Sequence, residues 1–146
     1  MLRYDPSWSI INCQNYTNPP IYLLPDGNGT VTTSCGQGVL QPGQANISVT
    51  SSPTSGASEV APTVCGGTLS STQSATADGV AGTVQYYSPQ PGATQQSSCA
   101  AVLGYQEVYT FVTGGNTYWV WDQETLSSPD VRALVYTMVT QTLQFS

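Results

Sequence analysis

The chain has 146 residues and a net charge of −6, and only 7% of its residues are charged. Two arginines, no lysine and no histidine exclude most classes of function, because phosphate backbones are bound by Lys and Arg and Ser-His-Asp or Cys-His catalysis requires a His. We therefore expect a single domain over 1–146 that is not an enzyme and binds no nucleic acid.

The first third of the chain alternates short apolar stretches with turn residues. Trp8 to Cys13, Ile21 to Leu24 and Thr30 to Cys35 are predicted strands. Between the last two, Pro25 to Gly29 predicts a turn, because Pro holds φ near −65° and Gly accepts positive φ. We expect these two strands to form a hairpin.

The middle of the chain is less clearly patterned. Ile47 to Thr50 and Val60 to Cys65 are predicted as short strands, the second at a sheet edge because of Pro62. The Ser/Thr/Ala-rich stretch from Thr68 to Gly79 gives no definite prediction. Val80 to Tyr87 is again typical of a strand.

A hairpin is the clearest feature of the sequence. Tyr105 to Val112 and Thr117 to Glu124 alternate apolar and polar residues on either side of a Gly-Gly turn. Pairing Val112 with Thr117 gives a register in which Glu107 lies opposite Asp122.

Two patterns compete at the C-terminal end. Ser128-Pro129-Asp130 is typical of a helix start, and apolar residues from Val131 to Val139 share one helical face. Val135 to Phe145 is nevertheless rich in Val, Thr, Tyr and Phe, which favour strands. We predict one short helical turn at 128–132 and then a long strand over 133–145.

These elements predict an all-β fold. Short strands with turns every 8–12 residues are typical of a two-sheet antiparallel β-sandwich, either immunoglobulin-like or jelly-roll. No apolar run approaches the ~18 residues of a membrane span, so none is expected.

Cysteines and glycosylation triplets point to an oxidising, extracellular setting. The cysteines are Cys13, Cys35, Cys65 and Cys99. Their wide spacing and the lack of His argue against zinc and favour two disulfides, with four free thiols as the alternative. Three pairings are possible, of which Cys13–Cys35 with Cys65–Cys99 is preferred because each bond closes a local loop. The Asn-X-Ser/Thr triplets begin at Asn15, Asn28 and Asn46.

The predicted hairpin brings acids together. Glu107 faces Asp122, with Glu124 two residues on and on the same side, and like charges that face each other destabilise a sheet. Three outcomes are open: the acids splay into water, a Ca²⁺ ion binds between them, or one acid stays protonated. A catalytic pair, as in glycosidases, would also need two carboxylates.

The same hairpin is rich in aromatic residues. These are Tyr105, Tyr109, Tyr118, Trp119 and Trp121. They have three candidate roles: core packing, a partner interface, or a platform on which sugars stack.

The expected function is that of a structural extracellular subunit. It would self-assemble as a homo-oligomer or polymer into a surface filament or a cell or virion surface, by inserting strand 133–145 into a neighbouring sheet. The alternative is a secreted lectin-like module that binds carbohydrate through the aromatic hairpin. No cofactor is expected apart from the calcium considered above.

Overall fold

The structure, a computed structural model, is described for residues 3, 5–12, 21–24, 29, 31–32, 45–54, 67–89, 104–124 and 131–145. Within them the chain is mostly β. The strands are β1 Ser9–Asn12, β2 Ile21–Leu24, β3 Val31–Thr32, β4 Ala45–Pro53, β5 Gly67–Ala77, β6 Val80–Pro89, β7 Gln106–Thr113 and β8 Asn116–Glu124, and they are followed by the helix α1, Arg132–Thr142.

A five-stranded antiparallel sheet forms the main body of the described residues, in the order β4-β8-β7-β6-β5. The predicted hairpin is confirmed as β7 and β8, with Val112 paired to Thr117 and Glu107 to Asp122. The predicted strands Ile47 to Thr50 and Val80 to Tyr87 lie within β4 and β6.

Two tight hairpin turns set the register of this sheet. Both central residues of each turn have positive φ: 50° and 75° for Asp78-Gly79, and 57° and 77° for Gly114-Gly115. Two-residue turns with positive φ at both positions match the twist of antiparallel strands. The Asp78-Gly79 turn therefore makes a long β5–β6 hairpin that includes Thr68 to Gly79, the stretch without a definite prediction.

The predicted C-terminal strand over 133–145 is wrong, because α1 occupies Arg132–Thr142. The helix buries Val135, Met138 and Val139, and each such side chain stabilises the fold by about 1.5–3 kcal/mol. Threonine, which favours strands, is accommodated by donating its hydroxyl hydrogen to the backbone one turn earlier, as Thr137 does to the Ala133 oxygen at 2.9 Å. Burial of one helical face outweighs the local preference for strand.

The helix crosses one face of the sheet, which we call the inner face. The sheet residues in this core come from all five strands and are Ile47, Ala75, Ala77, Val84, Tyr109, Phe111 and Val120. At its start, the Val131 N–H donates to Glu124 at the end of β8. Beyond its end, the Phe145 N–H donates to Asp78 Oδ2 at 3.1 Å in the β5–β6 turn. The helix is thus attached at opposite ends of the sheet, to the end of β8 and to the β5–β6 turn.

The N-terminal strands form a small separate group in the order β2-β1-β3, and β2 lies against β4. β1 is antiparallel to β2 and parallel to β3. The expected hairpin between the second and third strands is therefore wrong, since β1 lies between them. Trp8 joins the main core.

One helix-covered sheet is what the described residues establish, and the sandwich stays a prediction. The predicted strand Val60 to Cys65 and the helix start Ser128-Pro129-Asp130 lie outside the described residues. Within the described part of the chain, no helix is both long and apolar enough to cross a membrane.

Candidate functional site

Three carboxyl groups lie beneath the start of α1. Glu107 on β7 is paired with Asp122 on β8, and Glu124 follows on the same face of β8. All three side chains are 0% exposed. Of the outcomes left open by the sequence, splaying into water is therefore wrong. We call Glu107, Asp122 and Glu124 the carboxyl cluster.

Two members of the carboxyl cluster accept identified hydrogen bonds. The Tyr109 hydroxyl donates to Glu107 Oε2 at 2.6 Å, a short distance typical of a charge-assisted bond. The Val131 N–H donates to Glu124 Oε1 at 3.2 Å, which occupies one of the free amides at the start of α1. Neither carboxylate oxygen of Asp122 makes a hydrogen bond of good geometry with the described residues.

Electrostatics favour a protonated acid in the carboxyl cluster. Burial raises the pKa of Asp122 well above its ordinary value of 3.8, and the charges of Glu107 and then Glu124 raise it further. Burial also raises the pKa of the Tyr109 hydroxyl, and the charge of Glu107 adds to this. Burying a carboxyl in its protonated form costs less free energy than burying it as an anion, because the anion loses its hydration.

One cation lies near this cluster. The Arg132 guanidinium lies 4.2 Å from the centre of the Tyr105 ring, a cation–π geometry. The pKa of Tyr86 is raised by burial and then by the charge of Glu107, and the charge of Arg132 opposes this shift. Arg132, Tyr86 and Glu107 therefore share one electrostatic environment.

Burial and mutual repulsion within the carboxyl cluster favour retention of a proton on Asp122. Among the described residues, no group of three or more acidic, Cys or His side chains is arranged to hold a metal ion, so the calcium considered for Glu107, Asp122 and Glu124 has no geometric support. Acids with no exposed surface also have no access to a substrate.

Comparisons with known proteins assign no family to the chain. No family model, curated protein or solved structure matches it.

The aromatic residues of the hairpin do not form one exposed platform. Tyr109 is fully buried on the inner face, and Trp119, only 4% exposed, lies on the opposite face. The Tyr118 ring packs edge-on against Phe145, 5.0 Å between centroids. Tyr105 and Trp121 are half-buried. Because stacking on a sugar requires open ring faces on one surface, this arrangement does not favour the lectin-like alternative.

The predicted disulfides and most glycosylation sites lie outside the described residues. This holds for Cys13, Cys35, Cys65, Cys99, Asn15 and Asn28. Asn46 lies in β4, paired with Gln123 of β8. These assignments remain predictions.

An open edge strand is the feature that the sequence did not predict. Among the described strands, β5 pairs with β6 alone and ends the sheet. Seven consecutive residues, 68–74, are exposed, so both faces of the strand are open there. The Asp78-Gly79 pair was the available signal, since Asp-Gly between two β-prone stretches predicts a hairpin.

Proposed function

We propose that this protein is a non-enzymatic structural subunit that self-assembles outside the cell, in a surface filament or in a cell or virion surface. In the assembly contact, β5 pairs antiparallel with β5 of a second copy and joins the two sheets. The observation that carries this proposal is the open, uncharged edge of β5.

The length and composition of β5 suit strand addition. It has 11 residues, where the usual strand has about 5–6. Natural edge strands are commonly protected by lysine, proline or inward-pointing charge, and β5 has none of these. The register shift between Leu69 and Ser71 disturbs one end of the strand, which leaves Ser71 to Ala77 as the regular segment for pairing.

Charge permits two copies to meet along β5 despite the net charge of −6. Neither β5 nor β6 contains a charged residue, and Asp78 lies at the turn that ends the hairpin. In an antiparallel β5–β5 contact, the two Asp78 side chains lie at opposite ends of the junction. Main-chain hydrogen bonds would supply the affinity, as in other cases of strand addition.

The second edge of the sheet is less open. β4 ends the sheet on the other side, and β2 lies against it. A contact through β5 alone is therefore two-fold, with the same surface on both copies, and larger assemblies would need a second contact elsewhere. The non-enzymatic part of the proposal rests on the lack of His and Lys in the sequence.

Lysine substitutions at the edge test this contact. Thr72 and Ser74 are exposed on the outer face of β5, opposite Gln85 and Thr83 of β6. The double variant Thr72→Lys/Ser74→Lys places four lysines at each β5–β5 junction. Two unfavourable pairs at roughly 0.2–1 kcal/mol each should raise the concentration at which dimers form by about 2- to 30-fold.

The matched control places the same charges one strand away from the edge. Ala81 and Thr83 of β6 are exposed on the same outer face. In sedimentation velocity at rising protein concentration, we expect Ala81→Lys/Thr83→Lys to dimerise like the unmodified protein. The β5 contact would be refuted if both variants associated equally, or if the unmodified protein stayed monomeric at every concentration. Electron microscopy of the unmodified protein shows whether dimers extend into filaments or shells.

A further inference from the structure

The carboxyl cluster is coupled to the helix that covers it. The Val131 N–H, at the start of α1, donates to Glu124 Oε1. One turn further along α1, the Tyr136 ring lies 6.4 Å from the ring of Tyr109, whose hydroxyl donates to Glu107. The first turns of α1 therefore contact Glu124 directly and Glu107 through Tyr109.

The charge balance around these acids is unequal. The titratable groups around the cluster are Glu107 and Tyr109 from β7, Tyr105 just before β7, Asp122 and Glu124 from β8, Tyr86 from β6, and Arg132 and Tyr136 from α1. The strands β4 and β5 contain no titratable residue. Around the cluster, the single positive charge of Arg132 is therefore outnumbered by three ionisable carboxyl groups.

We propose that Glu107, Asp122 and Glu124 act as a pH-dependent switch that keeps α1 on the sheet in acid and releases its first turns when the cluster ionises. The switch does not depend on assembly through β5. Its ligand is the proton, held among buried carboxyl groups whose ionised forms repel one another.

The direction of the pH dependence follows from linkage. A carboxyl whose pKa is higher in the closed state than in the open one binds more protons when closed. For Asp122, the closed state is therefore favoured fully below its ordinary value of 3.8, and this preference is lost as the pH rises toward the raised value. In that window, each pH unit changes the opening equilibrium constant about tenfold.

We expect α1 to detach before the strands separate, because fewer backbone hydrogen bonds attach it to the sheet than join the strands to one another. β7 and β8 are each paired with a neighbour on both sides. The start of α1 contacts the cluster through the Val131 amide bond to Glu124 and through side-chain packing such as that of Tyr136 against Tyr109. If the first turns of α1 move away from the sheet, water can reach all three acids while the backbone hydrogen bonds of β7 and β8 stay intact.

Hydrogen exchange of backbone amides, corrected for the intrinsic effect of pH, measures this opening. We expect the opening constant of amides in the first half of α1 to rise about tenfold per pH unit above about pH 4, while amides of β7 and β8 keep their protection. In Asp122→Asn, which resembles the protonated acid, this rise should disappear.

The control removes an acid from the other end of the helix attachment. Asp78 is exposed, and Asp78→Asn makes the same change in net charge while leaving a side-chain oxygen to accept from the Phe145 N–H. We expect it to keep the pH dependence of the unmodified protein.

Two results would overturn the switch: a pH dependence that persists unchanged in Asp122→Asn, or loss of protection in α1 and the central strands together. Should Asp122→Asn fail to fold, Glu107→Gln provides a second neutral variant. Carbon NMR of the unmodified protein then decides independently, because the switch requires a carboxyl that titrates in step with exposure of α1.

Discussion

Replacing Gly82 by alanine tests how closely β6 packs against β7. Gly82 pairs with Phe111, and a Cβ atom built at Gly82 would lie 2.5 Å from the Phe111 ring carbon Cδ1 and closer still to the Thr110 carbonyl oxygen. Phe111 has no exposed surface, so its ring has no free space into which to move. The carbonyl belongs to the backbone of a central strand and is equally constrained.

Two effects of opposite sign decide the magnitude. Alanine in place of glycine in a strand ordinarily stabilises by roughly 0.5–1 kcal/mol, because it restricts the unfolded chain. Overpacking of a closed core costs typically 1–3 kcal/mol, and here both a ring and a carbonyl must shift, so we take about 3 kcal/mol. The net loss in the free energy of unfolding is then about 2 kcal/mol.

Thermal unfolding followed by circular dichroism measures this loss. With an unfolding entropy of about 2.1 cal/mol/K per residue, the 146 residues give about 0.3 kcal/mol/K, so Tm should fall by about 6 °C. Ala81→Thr, at the exposed neighbouring position of the same strand, is the control and should leave Tm nearly unchanged. A Gly82→Ala protein as stable as the unmodified one would show that β6 and β7 are not packed this closely.

Two further predictions concern the core. Val139→Ala, at a fully buried position of α1, should lower the free energy of unfolding in urea by about 1.5–3 kcal/mol. Leu134→Ala, at an exposed position of the same helix, is the control and should lower it by less than about 0.5 kcal/mol. Equal effects of the two substitutions would contradict the buried face assigned to α1. Tyr109→Phe removes the hydroxyl that donates to Glu107 and should cost about 1.5–3 kcal/mol, and an unchanged urea midpoint would show that this hydrogen bond contributes nothing to stability.

The β7–β8 hairpin was predictable because its signals are local. The turn Gly114-Gly115 accepts positive φ at both positions, and alternation on either side then allows one register. The pairing of Glu107 with Asp122 followed from that register alone. The burial of both acids did not, because it depends on a helix that comes later in the chain.

The β5 strand escaped prediction for a different reason. Its small polar residues do not alternate with apolar ones, since residues 68–74 are exposed on both faces. Over these residues the strand has no buried face and therefore no hydrophobic period to detect, and its burial is confined to Ala75 and Ala77 near its end.

For this protein, the sequence alone determined the scarcity of charge, the β-rich character and the register of one hairpin, because each depends on residue types or on neighbours in the chain. Tertiary structure alone decided that residues 132–142 are a helix, that three acids are buried, and that β5 ends the sheet among the described strands. The physical reason is that these outcomes depend on burial against distant residues, and local preference for helix or strand is too weak to oppose it.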